Sequence, residues 1–398
     1  MLGLVLEGGG ARGAYEIGAC KALKELGIKI DGVVGTSIGA INGAMIVQGD
    51  LEKAYELWYE LNPSKVLDVN DRVFNKVINK NIKTKDIPRL ALKIRSVFKD
   101  KGFDTSRIRQ LLEENIDEEK IRKSDMDFGI VTVSVTDKKP LELYKEDIPE
   151  GKIKDYIMAS AYHPAFKPEK VDGKIFLDGA FHDNLPLKLL YDKGYRNFVV
   201  IRLYSIGRVR KVKDKDLEIT YIEPSEKLCN TLDFTNDSAR LNLKLGYYDT
   251  LKVFKNLKGR KYYLEPKNDE EFFLNFLLDI GEENILKIGK LLGIGDMPYR
   301  RMLLEFIVPR IIELLALDDN IGYEELVIAL IEEIAQMCDI ERFKIYDFDS
   351  FHSLAMNSYN EHKEKPKNKI PKFVKRNEIL SLAAKESIIE EVIFEMFR

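Results

Sequence analysis

Residues 1 to about 60 alternate between short apolar strands, loops and helices, and the first two strands each enter a helix through glycines. Residues 2–6 are typical of a buried strand, and a helix is expected from Ala14 to about Leu26. Gly32-Val33-Val34 begins a second strand, and a helix containing Ala40, Gly43 and Ala44 follows. Strands that alternate with helices in this way predict an α/β fold with a mostly parallel sheet.

The second strand ends in Gly35-Thr36-Ser37-Ile38-Gly39, a G-x-S-x-G pentapeptide between a strand and a helix. This context is typical of a nucleophile elbow, in which the serine hydroxyl stands clear of the sheet. Gly35 and Gly39 have no Cβ, so the chain can turn sharply there. The helix that begins beside Ser37 would favour a developing oxyanion. By itself the pentapeptide is equally compatible with an exposed serine in a glycine-rich turn.

The first strand runs into Glu7-Gly8-Gly9-Gly10-Ala11-Arg12-Gly13, where successive backbone N–H groups can converge on an anion. Gly8, Gly10 and Gly13 also fit a dinucleotide fingerprint, and Asp31 follows 18 residues later. Asp31 precedes the second strand, however, whereas the fingerprint carboxylate follows that strand. We therefore favour an oxyanion loop, with Arg12 beside it. The phosphate loop of nucleoside triphosphatases is excluded because its G-x-x-x-x-G-K-[ST] pattern is missing from the sequence.

A serine nucleophile needs a base. The chain has four histidines, and His182 is the one that could belong to a triad, although a loop role is favoured for all four. A carboxylate alternative is Asp178, which ends an apolar strand and precedes Gly179 and Ala180. An aspartate with a pKa of about 3.9 is a weak base at neutral pH. It can act only in direct contact with the serine, in a desolvated site that raises its pKa.

These three motifs together resemble the patatin-like phospholipases. The order and rough spacing of the glycine loop, the Ser37 pentapeptide and Asp178-Gly179-Ala180 match that family, as do the flanking residues 159–168 and 184–186. The resemblance covers about the first 260 residues and is dense between residues 4 and 190. It implies a three-layer α/β/α core with a mostly parallel sheet.

The same resemblance implies a role for each motif. Ser37 would be the nucleophile and Asp178 its general base, in a dyad without histidine. Gly8, Gly9, Gly10 and Arg12 would form the oxyanion hole. The small residues that allow the three motifs to adopt their turns would be Gly13, Gly35, Gly39, Gly179 and Ala180. The implied activity is hydrolysis of lipid acyl esters, of the phospholipase A or lysophospholipase type, without a metal or other cofactor.

Two other functions remain open at this point. A nucleotide-binding oxidoreductase would use the Gly8–Gly13 loop for its cofactor. A non-catalytic scaffold would act through the C-terminal part of the chain, which we expect to be a helical domain. We predict a catalytic domain over residues 1–262 and a helical domain of unknown role over 263–398. The candidate helices of the second domain are Phe272 to Leu292, Tyr299 to Leu317, Tyr323 to Met337 and Asn377 to Phe397.

Charge and composition limit the partners. Lys and Arg number 63 against 66 Asp and Glu, so the balance predicts no nucleic-acid binding. Residues 72–101 differ, because they carry ten basic and two acidic residues with interleaved apolar side chains. Such a segment can be a solvated helical excursion, which we favour, or a peripheral contact with an anionic membrane.

The cellular compartment is also constrained by the sequence. It has no run of 18 apolar residues, and its first strand begins at Leu2, so neither a membrane span nor a signal peptide is expected. Cys20, Cys229 and Cys338 show no metal-ligand spacing. These features predict a cytoplasmic protein, and an effector exported by a non-cleaved signal would look the same.

Overall fold

A computed structural model describes residues 1–61, 66, 104–164, 166, 169–361 and 382–397, with side chains given from 387 in the last range. The chain divides into two compact units, Met1–Val253 and Phe254–Arg398. The basic segment 72–101 lies outside the described residues. The same holds for residues 362–375, whose lysines and prolines are typical of a linker. The predicted domain boundary between residues 262 and 263 stays a prediction.

The described residues of the first unit form one sheet of eight strands. They are β1 Leu2–Leu6, β2 Gly32–Thr36, β3 Asp127–Ser134, β4 Lys139–Tyr144, β5 Lys170–Val171, β6 Lys174–Asp178, β7 Asn197–Ile201 and β8 Glu218–Ile222. The paired strands are β5–β6, β6–β3, β3–β2, β2–β1, β1–β7 and β7–β8, and β4 also pairs with β3. Strands β1, β2, β3, β7 and β8 run parallel, whereas β4, β5 and β6 join antiparallel.

The parallel strands end in register at one edge of the sheet. Leu6 of β1 pairs with Gly35 of β2 on one side and with Ile201 of β7 on the other. The glycine loop, the Ser37 turn and the segment after Ile201 therefore leave the sheet at the same edge. In parallel α/β sheets this carboxyl edge is where ligands bind.

Helices cover both faces of the sheet, which gives the expected three layers. A Cβ on Gly43 of α2 would lie 3.2 Å from Val33 and Phe128 side-chain atoms, so α2 packs on that face. Val34 and Val131 point to the opposite face, where they pack with leucines of α7. The helices in the described residues of this unit are α1 Gly13–Glu25, α2 Ile38–Val47, α3 Leu51–Tyr59, α4 Ser106–Asn115, α5 Glu118–Lys123, α6 Ile153–Ser160, α7 Leu187–Asp192 and α8 Asn236–Phe254.

The second unit is mostly helical, as predicted, and its own core includes the fully buried Phe273, Leu303 and Ile331. Its helices are α9 Glu270–Leu278, α10 Glu282–Leu292, α11 Tyr299–Met302, α12 Val308–Leu314, α13 Tyr323–Met337, α14 Phe348–Glu361 and α15 Leu382–Met396. A π-helical segment, Leu303–Ile307, joins α11 to α12 just before Pro309. Proline has no N–H for the helical ladder, which accounts for an irregularity at this point.

Two predictions for this part of the chain were wrong. Residues 272–292 do not form one helix, because α9 ends at Leu278 and α10 restarts after Gly281, whose φ of −57° and ψ of 141° are not helical. The composition also predicts a loss of strands after about Glu270, but β10 Ile345–Tyr346 lies there and pairs in parallel with β9 Tyr263–Leu264. Strands of two residues are too short to show an alternating pattern in sequence.

No helix in the described ranges is both long enough and apolar enough to cross a bilayer.

Candidate active site

Ser37 occupies a strained turn between β2 and α2. Its φ of 56° and ψ of −120° lie in a region that residues with a Cβ rarely adopt. The turn is held on both sides of the residue. The Ser37 N–H donates to Ser160 Oγ at 3.0 Å, and the Ser37 carbonyl accepts from Ala40 N–H at 3.0 Å. The predicted elbow is therefore present, with α2 starting at Ile38.

The two glycines of the pentapeptide are required by close packing. A Cβ on Gly35 would lie 2.2 Å from the carbonyl carbon of Gly39, and one on Gly39 would lie 2.7 Å from the Leu6 carbonyl oxygen. Both distances are shorter than any ordinary carbon contact. Glycine at these positions lets the start of α2 sit directly on the ends of β1 and β2.

Strand β3 brings Asp178 to the end of β2. On one side of β3, β2 pairs as far as Val131, opposite Thr36. Because β4 occupies the other side of β3 from Gly129 to Ser134, β6 must follow β2 on the first side. The register agrees, since Asp178 of β6 pairs with Thr132, the next residue of β3. Ser37, which follows the end of β2, and Asp178, at the end of β6, therefore lie next to each other beside β3.

The Asp178 carboxyl is buried and interacts with the Ser37 side chain. Its Oδ1 accepts from Ala180 N–H at 2.8 Å. Burial raises the pKa of Asp178 to about 6, although the Ala180 N–H and the Ser37 side chain lower it in part. An aspartate with this pKa is ionised at neutral pH and is a better proton acceptor than an exposed one.

Gly179 makes this approach possible. A Cβ at Gly179 would lie 2.2 Å from the Val131 carbonyl oxygen and 2.9 Å from Thr36 Cγ2. Glycine at this position therefore lets another segment of the chain come close to the Asp178 turn. The segment that comes close is the end of β2 and β3 itself.

The glycine loop after β1 lies next to the Asp178 turn, and its N–H groups are used unequally. Gly8 N–H donates to the Asn184 carbonyl at 3.0 Å, and Ala11 N–H to the Thr231 carbonyl at 2.8 Å. Gly9 and Gly10 donate no backbone N–H bond to an acceptor within the described part of the chain. Gly10 has a φ of 56°, and a Cβ there would lie 2.2 Å from the Thr231 carbonyl oxygen.

The Arg12 side chain stabilises the glycine loop by binding backbone carbonyls instead of extending toward Ser37. Its Nε donates to the Cys229 carbonyl at 2.7 Å, and its Nη1 donates to the carbonyls of Leu203 and Tyr204 at 3.0 and 2.9 Å. The guanidinium thus ties the glycine loop to the chain after β7. Gly13 is needed for packing, because its Cβ would lie 2.5 Å from Ile38 Cγ1.

The first part of the chain is similar in sequence to known proteins. Residues 4–191 match the family model for patatin-like phospholipase. This region is a patatin-like phospholipase domain. Patatin-like phospholipase domain-containing protein 7 from Rattus norvegicus is 26% identical over 207 residues, which are 51% of this chain but 14% of that protein. Lysophospholipase nte1 from Aspergillus terreus is 64% identical over 44 residues, 11% of this chain and 3% of that protein.

Among solved structures, VipD from Legionella pneumophila is similar with a TM-score of 0.40 and 15% identity, covering 99% of this chain and 90% of that chain. The chain thus spans about a seventh of the first relative and most of the length of this structure. The assignment to the patatin-like domain depends on the family model and not on this structural likeness.

His182 of the patatin-like domain is not placed as a triad base. Its Nε2 lies 2.9 Å from Glu142 Oε1 and 3.0 Å from Arg210 Nη1. The loop role favoured for this residue agrees with that placement. His163 stands in the turn after α6, where burial lowers its pKa to about 4.

The dinucleotide alternative finds no support in the placement of Asp31. Its Oδ2 accepts from Leu2 N–H at 2.7 Å, at the start of β1. The glycine loop follows the other end of that strand. A carboxylate at the opposite edge of the sheet cannot bind a ribose whose phosphates sit on Gly8–Gly13.

Three residues of the patatin-like domain hold the site together and were not recognised from the sequence. The buried Ser160 accepts from Ser37 N–H and donates to the Val131 carbonyl at 2.6 Å. Asn184 donates to the Gly8 carbonyl at 3.1 Å. The buried Glu7 carboxylate accepts from Leu203 N–H at 2.7 Å. A charged residue between an apolar strand and three glycines could have indicated Glu7, whereas single polar residues such as Ser160 and Asn184 carry no pattern.

Proposed function

We propose that this chain is a serine hydrolase of lipid acyl esters, with Ser37 as nucleophile and Asp178 as general base. The observation that carries the proposal is the buried Asp178 carboxyl, which lies beside the end of β2, interacts with the Ser37 side chain and has a pKa raised to about 6. The family match and the name of the lysophospholipase relative support a lipid ester as the substrate.

Acylation starts with attack of Ser37 Oγ on the acyl carbonyl carbon, while the Ser37 hydroxyl proton moves to the Asp178 carboxylate. The carbon–oxygen double bond becomes a single bond and leaves an oxyanion. When the tetrahedral intermediate collapses, the bond to the alcohol breaks and the alcohol oxygen takes the proton from Asp178. An acyl-serine remains.

Deacylation repeats these steps with water. Asp178 accepts a proton from water as its oxygen attacks the acyl-serine carbonyl. Collapse of the second intermediate breaks the bond to Ser37 Oγ, which recovers the proton, and the fatty acid leaves. One carboxylate serves both halves because it is neutralised and regenerated each time.

The oxyanion is assigned to the backbone N–H groups of Gly9 and Gly10. This narrows the sequence prediction of Gly8, Gly9, Gly10 and Arg12, because Gly8 N–H is already used by Asn184 and the Arg12 guanidinium by three carbonyls. Gly8 and Arg12 then position the loop. Fixed N–H donors of this kind contribute about 3–4 kcal/mol each to transition-state stabilisation.

The substrate class we propose is phospholipids and lysophospholipids, which places the enzyme at a lipid surface. A peripheral membrane contact through residues 72–101 and a cytoplasmic location remain parts of this proposal. The helical unit has no role assigned here.

Release of fatty acid from lysophosphatidylcholine micelles tests the proposal. Ser37→Ala should abolish release, and Asp178→Asn should lower it by about 10²–10⁴-fold because the serine loses its base. Matched controls are Ser124→Ala, which lies before β3 at the other edge, and Asp183→Asn, a second buried aspartate. Full activity of Ser37→Ala, or equal losses in Asp178→Asn and Asp183→Asn, would refute the assignment.

A further inference from the structure

The segment after β7 carries an exposed apolar surface beside the candidate site. We call residues 204–213 the rim loop. Tyr204, Ile206 and Val209 are 54%, 42% and 40% exposed. Phe181, in the turn that begins at Asp178, adds another exposed ring. Large exposed side chains grouped at one place on a surface mark an interaction site more often than single ones do.

The rim loop is also strongly basic. Arg208, Lys211 and Lys213 are the basic residues that form no ion pair with any described residue, whereas Arg210 pairs with Glu142. Residues 205–213 contain no acidic residue, although the whole chain has a net charge of −3. The local charge thus opposes the charge of the chain.

Backbone contacts fix the rim loop to the site. At its start, the Glu7 carboxylate accepts from Tyr204 N–H at 3.2 Å. In its middle, Arg208 N–H donates to the Ala180 carbonyl at 2.9 Å, and the Arg208 carbonyl accepts from Asn184 N–H at 2.6 Å. The loop therefore spans from the glycine loop to the Asp178 turn. The exposed side chains of the rim loop therefore lie on a segment that is next to the candidate site.

We propose that the rim loop docks the enzyme on an anionic lipid surface. Ile206 and Val209 would enter the interface between head groups and acyl chains, and Arg208 and Lys211 would contact phosphates of the head groups. This inference depends on the proposed lipid hydrolysis. It goes further by naming the docking surface, which is separate from residues 72–101. A lipid ester at that interface would then face Ser37 directly.

Vesicle co-sedimentation of the Ser37→Ala chain measures docking without turnover. We expect binding to phosphatidylcholine vesicles that contain about 30% phosphatidylserine, at least tenfold tighter than to pure phosphatidylcholine. Each basic residue near an anionic surface contributes about fivefold. Arg208→Gln/Lys211→Gln should therefore weaken binding by about 25-fold, and Ile206→Ser/Val209→Ser by at least tenfold.

Matched variants control for charge and apolar area. Lys29→Gln/Lys215→Gln removes two exposed lysines that precede β2 and β8, at the other edge of the sheet. Leu241→Ser removes a side chain that is 42% exposed on α8. Both controls should bind within twofold of the parent chain. Equal binding to the two vesicle types, unchanged binding by the rim-loop variants, or equal loss in the controls would each overturn the proposal.

A water-soluble ester separates this inference from the proposed function. In chains that retain Ser37, the rim-loop variants should hydrolyse p-nitrophenyl butyrate at the parental rate and lose only vesicle hydrolysis. If the parent hydrolysed neither substrate while Ser37→Ala still docked through the rim loop, the proposed function would fail and docking would stand. If hydrolysis were normal and docking were absent, the reverse would hold.

Discussion

At the residue scale, the chemistry depends on one carboxyl group kept away from water. Asp178 is 5% exposed, and burial raises its pKa to about 6. An exposed aspartate would be ionised but too weak a base, whereas a fully isolated one would stay protonated. The hydrogen bond from Ala180 N–H and the interaction with the Ser37 side chain keep the pKa between these limits.

The pH dependence of kcat/KM should report this carboxyl. Because Asp178 must be ionised to accept the proton, kcat/KM for a soluble ester should be constant near neutral pH and fall tenfold per pH unit below about 6. Asp183 also has a pKa raised to about 6 by burial. Asp183→Asn should still show the fall of kcat/KM below about pH 6. If this fall disappeared in that variant, Asp183 would be the general base instead of Asp178.

The same pKa predicts that Asp178 reduces stability at neutral pH. A folded pKa of about 6 lies above the ordinary value of 3.8, so the protonated form favours folding below about pH 4 and this stabilisation is lost as the pH rises through 6. Asp178→Asn should therefore increase the free energy of unfolding at pH 8 by about 1–3 kcal/mol, measured in urea. The gain should shrink toward pH 4. A less stable variant at pH 8 would contradict this reasoning.

Local motifs explain why the sequence predicted Ser37, Asp178 and the glycine loop. Each motif requires glycine at a fixed position, and the structure shows the contact that requires it at Gly35, Gly39 and Gly179. The use of Gly8 N–H by Asn184 could not be predicted, because the two residues are 176 positions apart and pair only in the folded chain.

At the scale of elements, the site depends on β6 continuing the position of β2 along β3. The sequence indicated these strands but not β4, and it did not indicate that β6 runs antiparallel. Pairing of β3 with three neighbours is set by non-local register, which a single sequence does not display. The sequence also predicts an apolar strand over Asp127 to Val135, and the observed β3 Asp127–Ser134 ends one residue earlier. The observed β1 Leu2–Leu6 has the predicted bounds.

Asn184 links the glycine loop to the rim loop, and replacing it by alanine should impair catalysis. Its side chain donates to the Gly8 carbonyl at 3.1 Å and to Ser205 Oγ at 2.9 Å. Asn184→Ala leaves the glycine loop less well fixed, and small misplacements of catalytic groups lower rates by about 10²-fold. We expect kcat for a soluble ester to fall 10–100-fold with a smaller change in KM. Asn115→Ala, which loses a local helix bond to Leu111, should leave kcat unchanged; equal losses would indicate a general effect on folding.

At the scale of the whole molecule, the proposed chemistry belongs to one unit. Every group assigned to the site lies within Met1–Val253, whereas Phe254–Arg398 has its own core. Composition was sufficient to predict a helical second part. Its small parallel sheet was missed because each of the two strands has only two residues.

This division predicts independent responses to core mutations. Ile331→Ala removes a fully buried side chain of α13 and should destabilise residues 254–398 by about 2–5 kcal/mol. Hydrogen exchange should rise in that unit, while hydrolysis of a soluble ester at 25 °C stays within twofold. Val34→Ala, buried in β2, should instead raise exchange in the first unit. Equal exchange increases in both units for Ile331→Ala would show that they unfold together.

Covalent labelling with a fluorophosphonate, followed by peptide mass spectrometry, tests the Ser37–Asp178 pair most directly. We expect one modified site, Ser37, and no labelling of Ser37→Ala. The labelling rate should be reduced by about 10²-fold or more in Asp178→Asn and be unchanged in His182→Ala. Labelling that persisted in Asp178→Asn but was abolished in His182→Ala would contradict this expectation.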